Sequence, residues 1–449
     1  MKKVILGIVL LSTFSCSLDK DPVSSISAEG FYKTPSDAQA GVYGIYDAVQ
    51  STFRRDFALW GEGRADAVDT QHSGDPSILK QNTLTRTIES ASWNNIYMTI
   101  SRANYAIKNI PGVFEEESEL ELQLLGQARA LRALSYFYAV RIWGDVPLVT
   151  EPFENAKQDV FVERVDKETV LDQIEEDLIY AAQNCQESYG GERDRILITQ
   201  GAANALLTKV YMFRENYDAA VDAADKVLDN SLYALVTMDN WSKIFTSGYS
   251  SESILEVGYN EEQTNALRVL YALGSDSDYF PSELFRNSFE EGDLRKDLIY
   301  DVNEEQPRKV WKFFGEGFND ESPDPSSNNI VLIRLADIML LKAEALSKLG
   351  QSEQALALLN TIRNRAGLPA LDNATATSMY GDIDSAILHE RSIELSFEGH
   401  RWFDLVRNGK AIEVMNPING LSDAANLVWP ISQEALNKNP NIKQNPFYN

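Results

Sequence analysis

The sequence predicts a mostly α-helical fold in which paired helices build a scaffold and long irregular insertions build its exposed face. Three observations carry that prediction. Apolar residues recur at spacings of three and four, most regularly from Glu115 to Trp143, where Leu124, Ala128, Leu131, Leu134, Ser135, Tyr138 and Ile142 share one helical face. Two later helix pairs repeat a pattern of small residues: Thr208 and Ala220 lie 12 apart around the turn at Asn216, and Ala343 and Ala355 lie 12 apart around Gly350. Small side chains at those places let antiparallel helices approach closely, the physical basis of the tetratricopeptide repeat. The helical pattern then fails for about 100 residues between Ser231 and Asn329, and irregular insertions of that length in a helical domain are uncommon unless they are functional or disordered.

In chain order, Lys2 and Lys3 open a basic start, and Val4 to Phe14 is an apolar run of 11 residues ending near Cys16. A membrane-spanning helix needs about 20 apolar residues, so residues 1–15 read as a signal peptide. Thr34-Pro35-Ser36-Asp37 caps a helix to residue 53. Residues 54–88 are rich in Gly, Asp, Ser and Thr and read as loops with short strands. Trp93, Ile96, Tyr97, Ile100 and Ile107 keep one helical face as far as Pro111. Helices follow at 115–143, 167–184, 199–214 and 217–229. Within 231–330 the pattern gives β-like pieces at Ser253 to Tyr259 and Lys309 to Phe314, a short helix at 281–289 and a loop from Asn319 to Asn329. Helices resume at 334–349, 351–366 and 384–397, the last continuing in some form to 408. The whole reads as one domain over 16–449, with scaffold segments at 34–53, 92–229 and 334–408 and insertions at 54–88 and 231–330.

Charge narrows the partners. The 449 residues carry 41 basic against 67 acidic side chains, a formal charge of −26, and removal of 1–15 takes away Lys2 and Lys3 and makes it −28. No basic run interrupts the acid, which argues against nucleic acid and against electrostatic docking on anionic lipid. With two cysteines there is no disulfide framework, and Cys185 reads as a buried structural thiol.

Several segments together resemble the SusD/RagB family of nutrient-binding outer-membrane lipoproteins of Bacteroidetes. They are Gln127 to Val149 (QARALRALSYFYAVRIWGDVPLV), Arg334 to Leu346 (RLADIMLLKAEAL), Arg391 to Arg407 (RSIELSFEGHRWFDLVR) and Val428 to Tyr448 (VWPISQEALNKNPNIKQNPFY). Ser92 to Ile110 also fits. Cys16 after Ser15 resembles a bacterial lipoprotein signal, with cleavage before the cysteine and acylation of it, although Thr13 and Phe14 depart from the usual pattern. The acidic Leu18 to Pro22 resembles the signal that sends such lipoproteins to the cell surface. The resemblance implies four tetratricopeptide-like helix pairs with irregular insertions as the ligand face. It also implies capture of a glycan or a peptide for import, the protein sitting as a lid on a SusC-like TonB-dependent outer-membrane transporter. Catalysis, cofactor and metal are not part of that picture, and the membrane is reached through the lipid anchor.

The residues themselves carry no catalytic signature. His72, His389 and His400 are dispersed, and HExxH, paired CxxC, GxSxG, Walker and GxGxxG patterns are absent from the sequence. Glycan capture without catalysis uses aromatic faces and planar polar side chains. Trp93, Trp143, Trp241, Trp402 and Trp429 read as core, which leaves Trp60, Trp311, Tyr279, Phe280 and Phe318 in or beside the insertions as candidate platforms. Asp69, His72 and Asp75 are candidate hydroxyl contacts. Glu62, Arg64 and Asp66 read as an internal ion-pair network. Glu398, Arg401, Asp404 and Arg407, spaced by three, read as an ion-pair ladder along one helix, with His400 in reach of Asp404. Three alternatives stay open: a peptide-binding, RagB-like uptake protein, a periplasmic tetratricopeptide scaffold, and a helical glycosidase, for which two carboxylates would suffice.

Overall fold

A computed structural model describes residues 28–155, 157–319 and 325–448; Cys16, the leader 1–15 and the Leu18 to Pro22 stretch lie outside them. The scaffold helices are α1 (Pro35–Phe53), α2 (Asn94–Asn109), α3 (Glu119–Trp143), α4 (Lys167–Asn184), α5 (Gln200–Phe213), α6 (Tyr217–Leu228), α7 (Leu335–Lys348), α8 (Ser352–Arg365), α9 (Ile383–Glu394) and α10 (Arg401–Arg407). They pack as pairs α1/α2, α3/α4, α5/α6 and α7/α8, each pair lying against the next, with α9 across α7.

The starts are chemically specified. Thr34 Oγ1 accepts the Asp37 N–H at 3.2 Å while Asp37 Oδ2 accepts the Thr34 N–H at 2.8 Å, a reciprocal cap that closes α1. Ser118, Asp166, Thr199 and Asn216 cap α3 to α6 in the simpler way. α3 is buried on nearly every face, so it forms the axis of the stack. It comes close to α4 because a Cβ on Gly126 would lie 2.8 Å from the Cys185 sulfur. Cys185 is free and buried, and burial pushes its thiol up to about 12. Thr208, Ala220, Ala343 and Ala355 are all fully buried between paired helices.

Among the described residues there are three two-stranded antiparallel pairs: β1 (Val68–Asp69) with β5 (Phe280–Pro281) joins the two insertions, β4 (Ser253–Val257) with β6 (Ile330–Arg334) ties the longer one to the start of α7, and β2 (Val146–Pro147) with β3 (Arg164–Val165) closes the connection between α3 and α4. β4 falls within the β-like piece expected at Ser253 to Tyr259, and both it and its unexpected partner β6 are buried at all five residues. Lys309 to Phe314 is not a strand. It holds a 3₁₀ turn at Trp311–Phe313, because the Lys312 ammonium turns inward to Glu398 Oε1 at 2.6 Å and to the Glu394 and Ser396 carbonyls. Residues 54–88 contain helices at Asp56–Gly61 and Asp75–Lys80 beside the short β1, each too brief to show a period. The helix expected over 281–289 shrinks to Glu283–Arg286.

The long C-terminal helix is broken between α9 and α10. Phe397 (φ 66°) and Gly399 (φ 84°) turn the chain, and a Cβ on Gly61 would sit 2.0 Å from the Gly399 carbonyl oxygen, so two backbones touch there. The amides of Gly399 and His400 donate to Glu62 Oε1 at 2.8 and 3.1 Å. This break undoes the expected ladder. Only Asp404 and Arg407 pair along the helix; Glu398 pairs with Lys312 and Arg334, Arg401 with Asp66, and Asp404 also with Arg391. His400 faces the Lys209 ammonium instead of the Asp404 carboxylate. Of the expected Glu62, Arg64 and Asp66 network, only Asp66 makes an ion pair; Arg64 lies over Trp402 and donates to Asn82 and to backbone carbonyls of Asn426 and Leu427.

Buried ion pairs join scaffold to insertion. The Arg334 guanidinium, fully buried, donates to Glu252 at 2.7 Å, to Glu394 at 2.6 Å and to Glu398 at 2.8 Å. Removing that cation leaves three buried carboxylates short of a partner. Arg334→Leu is therefore expected to lower the unfolding free energy by about 3–5 kcal/mol, measured by urea titration. A second expectation concerns Glu62. Burial pushes its pKa up to about 8, so the folded chain keeps a proton that the unfolded chain releases near 4.5. Stability linked to this group is complete at low pH and falls as pH rises toward 8. The difference in melting temperature between Glu62→Gln and the unsubstituted protein should grow in favour of the variant from pH 5 to pH 8.

Candidate ligand-binding site

The pairing of β1 with β5 decides which parts of the two insertions meet. Its register sets Val68 opposite Pro281 and Asp69 opposite Phe280, and the Ser282 hydroxyl donates to the Asp66 carbonyl at 2.5 Å just beyond it. Around this stitch lies a cavity of about 260 Å³, lined by Asp69, Thr70 and Gln71 from the first insertion and by Phe280, Glu283, Arg286, Gln306 and Arg308 from the second.

The lining is rich in planar polar groups. Arg308 lies flat over the Phe280 ring, its guanidinium carbon 4.0 Å from the ring centre, and donates from Nη2 to Gln306 Oε1 at 2.9 Å. Its Nη1 is buried and has no hydrogen-bond partner among the described residues. A buried guanidinium donor left unmade carries a desolvation cost, which a ligand hydroxyl or carboxylate entering the cavity would remove. Asp69 Oδ1 accepts the Thr70 N–H at 2.8 Å, which fixes that carboxylate at the edge. Two arginines face two carboxylates across the cavity, so the lining is locally balanced despite the acidic chain.

The expected site residues part company here. Asp69 and Phe280 come together in the cavity. His72 is exposed on the loop beside it, its Nδ1 within 2.7 Å of the Ser73 carbonyl. Trp60 is a core residue: it is 1% exposed, its indole N–H donates to the Ser90 carbonyl at 3.1 Å, and it meets Trp143 edge to face. Tyr279 is fully buried, with its hydroxyl in the space where a Gly63 side chain would stand. Neither can offer a face to a ligand, because both fill the interior behind the stitch. Phe280 is itself 7% exposed and capped by Arg308, so it supports that guanidinium and does not serve as a bare platform. Trp311 is half-buried in its 3₁₀ turn, and Phe318, 7% exposed, packs on Phe314 with centroids 4.9 Å apart; neither lines the cavity. Trp93, Trp143, Trp241, Trp402 and Trp429 are core as expected.

Sequence reasoning passed over Gln71, Glu283, Arg286, Gln306 and Arg308. Their signal is modest: Glu283 and Arg286 follow Pro281 and Gln306 and Arg308 flank Pro307 inside an irregular segment, and Gln71 stands in the polar loop of the first insertion. Two carboxylates below the loop are shifted by burial. Asp56 is pushed up to about 7, with Asp75 and Glu89 adding repulsion, and Asp278 is raised although Arg55 bonds it at 2.8 Å. Among the described residues, His, Cys, Asp and Glu nowhere gather in threes that could hold a metal ion.

Comparison with known proteins adds to this geometry. Residues 252–448 match the model of the SusD family, and residues 46–212 match a model described as "Starch-binding associating with outer membrane". A SusD-like protein of Formosa agariphila is 31% identical, the alignment covering 99% of this chain and 98% of the relative. Among solved structures, a SusD superfamily protein of Bacteroides thetaiotaomicron superposes with a TM-score of 0.78 at 26% identity, covering 93% of this chain and 99% of the other. A laminarin-binding SusD-like protein superposes with a TM-score of 0.76 at 28% identity, covering 93% of this chain and all of the other.

Burial sorts the aromatic residues into testable classes. Trp60→Ala and Tyr279→Ala should each cost about 3–5 kcal/mol of stability and lower the melting temperature by several degrees. Trp311→Ala, at a half-buried position, should leave it nearly unchanged in the same scan.

Proposed function

We propose a function from one premise: the chain belongs to the SusD family. On that premise it is a binding protein and not an enzyme, and its ligand is a neutral oligosaccharide or polysaccharide taken up at the junction of the two insertions. The carrying observation is the cavity at the β1/β5 stitch, where Arg308 presents an unpartnered Nη1 among Asp69, Gln71, Glu283, Arg286 and Gln306. Vicinal sugar hydroxyls are bonded in pairs by such planar side chains, and a site with balanced charges suits an uncharged ligand. Recognition here is through polar edges, with the Phe280 ring supporting the Arg308 guanidinium. The laminarin-binding structural neighbour makes laminarin the first glycan to try.

In this reading Cys16 carries the lipid, the protein is held at the outer membrane, exposed at the cell surface, and it hands glycan to a SusC-like TonB-dependent transporter. A strongly acidic protein anchored by acyl chains needs no basic patch to reach a membrane.

Affinity electrophoresis of the acyl-free protein through gels containing laminarin or other neutral glucans tests the reading. Retardation by at least one neutral glycan is expected, weakened about tenfold or more in Kd by Arg308→Ala or by Asp69→Ala, with melting temperatures within about 2 °C of the unsubstituted protein. Retention unchanged in both variants would remove the site assignment. Binding of peptides with no glycan retained would turn the reading to the RagB-like alternative.

A further inference from the structure

Away from the insertions, where α3, α5, α9 and α10 converge, a second buried charge cluster surrounds a cavity of about 30 Å³ lined by Arg141, Lys209, Arg391, His400, Asp404 and Arg407 among others. Four cationic side chains line it: Arg141, Lys209, Arg391 and Arg407. Three carboxylates answer them. Asp337 takes Lys209 at 2.5 Å and Arg391 at 2.8 Å, Asp404 takes Arg391 at 2.8 Å and Arg407 at 3.0 Å, and Glu344 takes Arg407. The charged neighbours of His400 along the chain are engaged elsewhere, Glu398 by Lys312 and Arg334 and Arg401 by Asp66. His400 adds no charge near neutrality, since burial and then the Lys209 ammonium push it down to about 4.

Of these four cations Arg141 is the one without a carboxylate at ion-pair distance among the described residues, Asp404 and Asp337 acting on it only from farther off. The Arg141 guanidinium is wedged among the rings of Phe137, Tyr138 and Phe403, 4.1 to 4.3 Å from their centres. Nε donates to the Phe137 carbonyl at 3.2 Å and the Tyr138 hydroxyl is a second neutral partner, while Nη2 has no hydrogen-bond partner among the described residues. Lys209 Nζ gives one N–H to Asp337 and has His400 Nδ1 at 3.5 Å, which leaves a third donor for the cavity.

We propose that this cavity is a binding site for a small monovalent anion, chloride in ordinary salt solutions, seated on Arg141 Nη2 and Lys209 Nζ. Arg141 is half-buried, and a partly desolvated cation without a paired carboxylate is costly, a cost to which a donor without an acceptor adds. The volume admits one occupant of water size or slightly more. Water would satisfy the donors and leave the charge; a halide does both. The aromatic rings fix the guanidinium, so the ion ties α3 to α5 and to the α9/α10 corner.

Crystals of the full mature protein grown with bromide in place of chloride give the direct test. An anomalous peak is expected in this cavity; an ordered water there without anomalous signal would overturn the proposal. Thermal unfolding at fixed ionic strength, with chloride replaced stepwise by gluconate, gives a second reading that needs no variant. A saturable rise of about 2 °C with chloride is expected, and a flat or non-saturating response counts against the site. Arg141→Met should abolish the chloride dependence; if that variant does not fold, the bromide and chloride measurements on the unsubstituted protein still decide.

Discussion

Glu394 is the hub on which the rest of the structure depends. Its carboxylate receives donors from Arg295, Arg334 and Arg365 at 2.5 to 2.9 Å and from the Trp241 indole at 3.2 Å. These partners come from the long insertion, the end of β6, the last turn of α8 and the helical turn at Met238–Trp241. All are buried, so the interaction has weight only as a complete set: in a low-dielectric interior, each member that is removed leaves the others uncompensated. Around it Glu252, Glu390, Glu398 and Lys312 close the network. An insertion of about 100 residues without long elements of its own would otherwise have little to fix it. This one is clamped to the scaffold by charge.

That clamp explains how short strands can build a site. β1 and β5 contribute two residues each, far too little to hold a loop junction alone. Their positions are set from behind, by Asp66 with Arg401, by Glu62 on the Gly399 turn, and by Trp60 and Tyr279 filling the interior. The polar lining then stands on a rigid floor, the arrangement that binding loops generally need. Local balance of Arg286 and Arg308 against Asp69 and Glu283 also lets an acidic protein present a site without a strong field of its own.

The scaffold was legible in the sequence because its signals are local. Thr34 and Asp37 announce α1 within four residues, α3 shows its period over seven turns, and Thr208, Ala220, Ala343 and Ala355 mark close helix approaches. The insertions gave no such signal. Trp60 and Tyr279 look like loop aromatics because burial in irregular chain has no period, and only the fold shows that they face inward. The Arg391 to Arg407 segment was rightly read as packing, yet its ion pairs were assigned along a helix that Gly399 interrupts; their partners Arg334, Lys312 and Asp66 lie far away in sequence. Arg308 had still less to mark it, since its role exists only once β1 meets β5 and Phe280 lies beneath its guanidinium.

The central claim is that ligand enters at the stitch between the two insertions. Hydrogen–deuterium exchange of the acyl-free protein, with and without a saturating glycan identified by gel retention, addresses it over the whole chain at once. The account predicts new protection confined to residues 69–71, 280–286 and 306–308, with the helices of the scaffold unchanged. Protection on the cleft of about 850 Å³ between α4, α5 and α6, lined by Gln183, Asn204, Tyr211 and Asp222 among others, with the stitch unaffected, would contradict it.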